Sequence, residues 1–154
     1  MHGHELAMAL RSAYLAMHRR TDALLARTGV TADQFVVLVA LAEGEALTQS
    51  DLVARTTSDP NTLRAMLVLL ERRGLIERRP HPTDGRARSV SLTRKGKSAF
   101  HKLWRVSDPL RARLDAALTS HEAALLVAQL CRIVRVVESD SAARRPMRRA
   151  DQRC

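Results

Sequence analysis

The chain has 154 residues and a mass of 17.1 kDa, enough for one domain with its own core or for a small domain whose arms complete a core with a partner, whereas two folding units would be cramped. Its 26 Lys and Arg against 16 Asp and Glu give a formal charge of +10, which favours a polyanionic partner, either nucleic acid or an acidic membrane surface. The N-terminus lacks the pattern of a secretory signal and no apolar stretch approaches the roughly 18 residues of a membrane span, so a cytoplasmic protein is expected.

The N-terminal part is predicted to be helical. Apolar residues recur at helical spacing over residues 5–27, and Gly29 stops that helix. Thr31 followed by Gln34 is a capping box, which predicts a second helix over residues 32–42.

Two shorter helices follow, joined by a tight turn. Thr48, with Asp51 three residues later, opens a third helix that ends near Thr56. Asp59 suits an N-cap and is followed by Pro, which suits the first helical position, so a fourth helix is predicted over residues 60–73.

After the fourth helix the apolar period changes to that of strands. Residues 75–79 and 89–92 are predicted to pair as a β-hairpin with a turn at residues 81–86. The hairpin carries the basic residues Arg78, Arg79, Arg86 and Arg88.

Further helices and a basic tail complete the chain. A helix begins after Thr93 and is kinked or restarted at Pro109, and Thr119 opens a final apolar helix, in which Cys131 is expected to be a buried thiol. Residues 139–154 hold five Arg and two Asp with little to bury, which predicts a disordered basic tail.

This order of elements is typical of a winged helix-turn-helix protein. The predicted fold class is mainly α with a small β-hairpin wing, the winged helix-turn-helix being joined to a helical dimerisation subdomain built from both termini. The predicted domains are an N-terminal dimerisation helix (1–30), the DNA-binding module (31–96), C-terminal dimerisation helices (97–138) and the disordered basic tail (139–154).

The hairpin and the segment before it resemble a known family. Residues 75–78 (LIER) and 82–93 (PTDGRARSVSLT) resemble the wing of the MarR (multiple antibiotic resistance regulator) family, and residues 71–76 (ERRGLI) resemble the segment that precedes it. The resemblance implies a homodimer on pseudo-palindromic operators, with a recognition helix in the major groove and a wing arginine in the minor groove. It also implies that a small phenolic or aromatic effector often binds between the subdomains.

The sequence departs from the family in two places. Gly85-Arg86 stands where the family usually has two consecutive arginines after the wing Asp. The fourth helix has Ala65, Val68 and Leu69 where polar or basic residues are common, so no base preference is carried over.

The start of the fourth helix supplies the candidates for reading DNA. Asn61, Thr62 and Arg64 are expected to face base edges, with Ser58 close to a backbone phosphate. Arg64 can donate two bonds to guanine O6 and N7, and the alternative is a solvated arginine on an exposed helix face.

The wing and the third helix supply further candidates. Arg86 is expected to enter the minor groove, while Asp84 either pairs with a nearby arginine, as the resemblance implies, or is an ordinary turn residue. Thr48 and Ser50 could bind phosphate, although Thr48 serves equally well as a helix cap. The remaining predicted phosphate contacts are Arg78, Arg79, Arg88 and Arg94.

Five polar or aromatic residues are candidates for an effector pocket near the subdomain junction, with core or interface packing as the alternative. They are Arg11, Tyr14, His18, His101 and Trp104. No cofactor is expected, and no metal, because the N-terminal histidines have no carboxylate or cysteine cluster beside them.

Other functions are weaker interpretations. No nucleophile with a base, paired acids or glycine-rich phosphate loop appears, so an enzyme is not expected. The main alternative is a winged-helix protein–protein adaptor that binds a partner through residues 66–70, and a membrane-surface role for the first helix is a further one.

Overall fold

The fold was obtained as a computed structural model that describes residues 2–44, 46–85 and 87–142. Over those residues the chain forms seven α-helices and three short strands. They are α1 (His2–Leu25), α2 (Ala32–Glu43), β1 (Leu47–Thr48), α3 (Gln49–Thr56), α4 (Pro60–Arg72), β2 (Ile76–Pro80), β3 (Arg88–Leu92), α5 (Arg94–Val106), α6 (Asp108–Ala117) and α7 (Ser120–Ala142). The predicted fold class, mainly α with a small wing, is confirmed.

The helix boundaries follow side-chain caps. The hydroxyl of Thr31 accepts from the Gln34 backbone N–H at 3.2 Å while the Gln34 side chain accepts from the Thr31 N–H, which is the predicted capping box at the start of α2. The Glu122 carboxylate accepts from the backbone N–H and the hydroxyl of Thr119 before α7, and these two bonds lower the pKa of Glu122. Capping therefore fixes where both helices begin.

The sheet differs from the predicted two-stranded hairpin. It has three antiparallel strands in the order β1-β3-β2, because the two-residue strand β1 pairs Leu47 with Val90 on the outer side of β3. On the other side Ile76 pairs with Leu92, and Val90 and Leu92 both point into the core. The third strand joins the wing to the segment that precedes α3.

The predicted restart at Pro109 is confirmed, because α5 ends at Val106 and α6 begins at Asp108 with Pro109 in its first turn. Two other predicted features of the C-terminal part are wrong. The last helix continues to Ala142, so residues 139–142 are helical rather than part of a disordered tail, and residues 143–154 lie outside the described residues. Cys131 is half-buried rather than fully buried.

The chain divides between Leu110 and Arg111 into two compact units. In the first unit α2, α3, α4, α5 and the sheet share one core. Its fully buried side chains are mostly leucines, as the low aromatic content predicts. They include Leu25, Leu38, Leu52, Leu63, Leu67 and Leu70.

Two long helices bury little of their apolar surface. Leu25 is the one buried residue of α1, whose Leu6, Met8 and Tyr14 are each about half exposed. In the second unit, α7 leaves Leu125, Val127 and several further apolar side chains exposed. No single helix among the described residues is long and apolar enough to cross a membrane, although α6 and α7 together, bent at the break between them, reach that length and composition.

Candidate nucleic-acid interface

Helix α4 has one buried and one exposed face. Four apolar side chains at helical spacing (Leu63, Met66, Leu67 and Leu70) are buried and fix the rotation of the helix about its axis. The opposite face carries the exposed side chains of Asn61, Ala65 and Arg72, with Arg64 and Thr62 on either flank. The part of α4 that faces solvent therefore includes all three residues predicted to read bases.

The start of α4 is held by its cap. Oδ1 of Asp59 accepts from the backbone N–H groups of Asn61 and Thr62 at 2.9 and 3.1 Å, and Pro60 occupies the first helical position. Because the cap engages the backbone N–H groups, the side chains of Asn61 and Thr62 project from an ordered first turn. Ser58 is half-buried, and its hydroxyl donates weakly to the Thr56 carbonyl at 3.5 Å.

Thr48 acts as the cap of α3. Its backbone N–H and its hydroxyl both donate to Oδ2 of Asp51, at 2.8 and 2.6 Å, and its oxygen accepts from the Asp51 N–H at 3.1 Å. The hydroxyl bond from Thr48 lowers the pKa of Asp51, and burial partly opposes that effect. Ser50 is exposed on the first turn of the same helix.

The wing turn is organised by His81, which the sequence analysis did not single out. The ring Nδ1 accepts from the backbone N–H groups of Thr83 and Asp84 at 3.3 and 3.2 Å, and the backbone N–H of His81 donates to the Ala87 carbonyl at 3.0 Å. The ring thus accepts from backbone N–H groups two and three residues later, as the side chain of Asn or Asp does in an Asx turn. The Pro and Asp residues of the turn predict a turn but do not indicate this role for His81. Arg86, the predicted minor-groove residue, lies outside the described residues.

A hollow of about 450 Å³ lies between the start of α3 and the wing. It brings together five of the residues predicted to contact DNA, which are Thr48, Ser50, Arg78, Asp84 and Arg88. The fold therefore places the beginning of α3 beside the wing, as a contact to adjacent phosphates would require.

The basic residues of the wing differ in what they contact. Nε and Nη2 of Arg78 donate to Oε2 of Glu71 at 2.9 and 2.6 Å, which joins β2 to α4. Arg79 pairs with Glu77 on its own strand at 3.1 Å and is 71% exposed. Arg78 thus holds the wing against α4, while Arg79 and Arg88 face solvent.

The predicted effector residues form two groups. The rings of Tyr14 and His18 on α1 have centroids 5.6 Å apart and planes tilted by 47°, and His18 contacts both Asp22 and Asp33, at 3.3 and 3.2 Å. The His101 ring contacts that of Phe100 at a tilt of 56°, the Phe100 ring also contacts that of Trp104, and Arg11 is exposed on α1.

Neither the hollow beside the wing nor a second hollow near the start of α5 is lined by any of these five residues. Within the described ranges, no three His, Cys, Asp or Glu side chains group in a way that could hold a metal ion.

The apolar surface predicted for a protein–protein adaptor is mostly absent. Met66, Leu67 and Leu70 are buried, and Val68 is half-buried, so Leu69 is the one large exposed apolar side chain of that segment. A surface of this size is far smaller than a stable interface needs, which disfavours the adaptor.

Comparison with known sequences gives one consistent family. A profile described as the MarR family matches residues 28–87. The transcriptional regulator HosA of Escherichia coli O111:H- is 31% identical over 98 residues, which cover 64% of this chain and 73% of HosA. The uncharacterized regulator YdgJ of Bacillus subtilis is 27% identical over 106 residues, 69% of this chain, and the aligned part spans just under two thirds, 65%, of YdgJ.

Comparison with solved structures gives the same family. A mutant MarR of Escherichia coli complexed with operator DNA has a TM-score of 0.74 and 27% identity, over 84% of this chain and 93% of that one. Bordetella bronchiseptica BpsR, whose structure concerns regulation of its DNA binding by 6-hydroxynicotinic acid, has a TM-score of 0.73 and 26% identity, over 83% of this chain and 91% of BpsR.

Proposed function

Because this chain belongs to the MarR family of transcriptional regulators, we propose that it is a homodimeric repressor that binds pseudo-palindromic operator DNA and is released by a small effector. It acts in the cytoplasm, by binding DNA rather than by catalysing a reaction. The observation that carries this proposal is the exposed, capped start of α4 on a unit whose wing and α3 meet at one hollow.

DNA is read at the start of α4. Asn61, Thr62 and Arg64 enter the major groove, where Arg64 donates two of its N–H groups to O6 and N7 of one guanine. Arg72 lies on the same face as Asn61, eleven residues further along, and is suited to a phosphate rather than to a base. Helical periodicity would have identified it from the sequence.

Phosphates and the minor groove are contacted around α4. Ser58, Ser50 and Arg88 meet backbone phosphates, and Arg86 enters the minor groove from the wing. Asp84 holds the wing turn and Thr48 orients α3. The cations add a salt-dependent attraction, which the net charge of +10 supports.

The dimer is formed by the helices outside the DNA-binding module, residues 1–30 and 97–138. The exposed apolar side chains of α1 and α7 support this, because exposed apolar surface on that scale is typical of an interface. A two-fold axis would place two copies of α4 in successive major grooves, about 10 base pairs apart. The resulting operator is pseudo-palindromic.

The effector is a small aromatic or phenolic molecule, bound near Arg11, Tyr14, His18, His101 and Trp104. BpsR, whose DNA binding a hydroxylated aromatic acid regulates, supports this class of ligand. In this chain the residues form two groups rather than one enclosed pocket, so the site needs a second protomer or a movement to close.

The proposal is tested by a gel-shift titration on a DNA duplex that the purified protein has selected from a pool of random sequences. Arg64→Ala is expected to weaken binding by about 1 to 3 kcal/mol, roughly 5- to 150-fold, and to relax the preference at one base pair. Arg105→Ala, an exposed arginine on α5, is the matched control and should change affinity little. Equal losses in both variants, with no change of base preference, would contradict the assignment of Arg64.

A further inference from the structure

A second hollow, of about 730 Å³, lies in the first unit where three segments meet. They are the α1–α2 connection, the turn between α4 and β2, and the first three turns of α5. The lining residues are Arg27, Thr28, Val30, Arg73, Leu75, Arg94, Lys95, Ser98, Ala99, Lys102 and Leu103. This volume is in the range of pockets that bind small molecules.

The lining has an unusual charge. Five of the eleven lining residues are Lys or Arg, and none of the described residues that line it is acidic. Four apolar side chains, Val30, Leu75, Ala99 and Leu103, form the rest of its wall, and Val30, Leu75 and Leu103 are buried. Five like charges around one hollow repel one another, and a bound anion would relieve that repulsion.

Two of the cations are held in place. The guanidinium of Arg73 donates to the Gly29 carbonyl and, at 3.2 Å, to the Thr28 carbonyl. Nζ of Lys95 donates to the Arg73 carbonyl at 2.7 Å. These bonds occupy carbonyl oxygens that would otherwise repel an anion, and they fix two charges before any ligand arrives.

The backbone adds to the same field. Arg94 begins α5, a helix of 13 residues whose cap, Thr93, accepts from the Gly96 N–H. The partial positive charge at a helix N-terminus therefore adds to the side-chain charges around the hollow. Lys102 and Arg27 are exposed and are free to close over a ligand.

The hollow is separate from the proposed base-reading residues, although one of its lining residues, Arg94, is also a predicted phosphate contact. Arg73 follows the last residue of α4, whereas Asn61 and Arg64 lie in its first two turns. The 13 residues of α4 span about 20 Å at 1.5 Å per residue. The five cations are therefore gathered at the opposite end of the recognition helix.

We propose that this hollow is a binding site for a small organic anion that carries at least two negative charges, as a phosphate ester or a dicarboxylate, next to an apolar group. The charges meet Arg73, Lys95 and Lys102, and the apolar group lies against Leu75 and Leu103. The site is distinct from the residues assigned above to the aromatic effector.

Isothermal titration calorimetry of the intact protein at low ionic strength tests the site, with 1-naphthyl phosphate as the probe. We expect saturable binding that weakens with added salt. Inorganic phosphate and 1-naphthol should each bind at least tenfold more weakly, because the first lacks the apolar group and the second lacks the negative charges. A naphthalene dicarboxylate in place of the phosphate ester distinguishes the two anion chemistries. No saturable binding of either dianion would overturn the proposal.

A matched pair of variants locates the binding. Lys102→Gln and Lys97→Gln each remove one exposed charge from α5, but only Lys102 lines the hollow. The first is expected to weaken naphthyl phosphate binding about tenfold and the second less than twofold, with unchanged circular dichroism. Equal effects of the two would show charge-dependent surface adsorption instead and would overturn the site.

The same variants distinguish a small-molecule site from a contact to the DNA backbone. Binding of a non-specific duplex is expected to change by the same small factor in both variants, and a tenfold loss confined to Lys102→Gln would assign the hollow to DNA and overturn the proposal. The calorimetry uses no DNA, so its result does not depend on the proposed regulatory function.

Discussion

The pair formed by Glu71 and Arg78 is predicted to hold the wing and α4 together as one rigid DNA-reading unit. Both bonds end on one carboxylate oxygen, at 2.6 and 2.9 Å, and the side chains are 21% exposed for Arg78 and 40% for Glu71. Buried hydrogen bonds to charged groups contribute about 1.5 to 3 kcal/mol and exposed ion pairs about 0.2 to 1. Because Glu71 is partly exposed, we expect a coupling energy of about 1 kcal/mol, where these two ranges approach each other.

A double-mutant cycle measures this coupling. Glu71→Gln, Arg78→Gln and the double variant are unfolded in urea at one fixed protein concentration, because dimerisation makes stability depend on concentration. Glu77 and Arg79 provide the control cycle, since their pair is within one strand and Arg79 is 71% exposed, and its coupling is expected below about 0.3 kcal/mol. Couplings of equal size in the two cycles would show that the Glu71–Arg78 pair contributes no more than an exposed ion pair.

The two cycles also have a functional readout. If the pair aligns the wing with α4, Arg78→Gln lowers the ratio of specific to non-specific DNA affinity although it removes no predicted base contact. Arg79→Gln removes the same charge from the same strand and should lower both affinities together. An unchanged ratio in Arg78→Gln would mean that the alignment does not depend on this pair.

Three further predictions concern single residues. Gly96→Ala is expected to prevent normal folding, because the added Cβ would lie 1.8 Å from the backbone carbonyl oxygen of Leu75. Gly85→Ala is the control: its Cβ would meet nothing within 4 Å, so the melting temperature should be almost unchanged. Similar melting curves for the two variants would contradict the packing of α5 against Leu75. Thr48→Ala should lower the free energy of unfolding by about 1 kcal/mol at neutral pH, as measured by urea titration. Because the pKa of Asp51 is lower in the folded than in the unfolded protein, the ionised carboxylate stabilises the fold at pH values above its unfolded pKa, and this contribution is lost as the pH falls through the folded pKa. The difference between the variant and the original protein should therefore shrink below about pH 4. Arg86→Ala should weaken operator binding while leaving the dimer intact in size-exclusion chromatography, and unchanged gel-shift affinity would remove Arg86 from the minor groove.

The parts of the fold that sequence could predict are those with local signals. The caps at Thr31, Thr48 and Asp59 follow from side-chain chemistry within three residues, and all three form as expected. The strand β1 was missed because two residues are too few to show an alternating pattern. The end of α7 is not predictable in the same way, because its last turn has few apolar residues and low apolar content is equally typical of a disordered tail.

The functional surfaces also consist of a part that the sequence can predict and a part that it cannot. The base-reading candidates were predictable because Asp59-Pro60 fixes where α4 begins and therefore which side chains stand on its first turn. The role of His81 and the pair between Glu71 and Arg78 depend on contacts between elements, which no local pattern encodes. The basic hollow was not predictable, because its lining comes from three segments far apart in the chain.

We propose above that two copies of α4 and its wing read two half-sites related by a two-fold axis. Hydroxyl-radical footprinting of the purified protein on duplexes that it selects from random sequence tests this most directly. We expect an enriched inverted repeat with two protected patches, centred about 10 base pairs apart, and flanking protection that disappears in Arg86→Ala. A single protected patch, or selection that enriches no sequence, would contradict it.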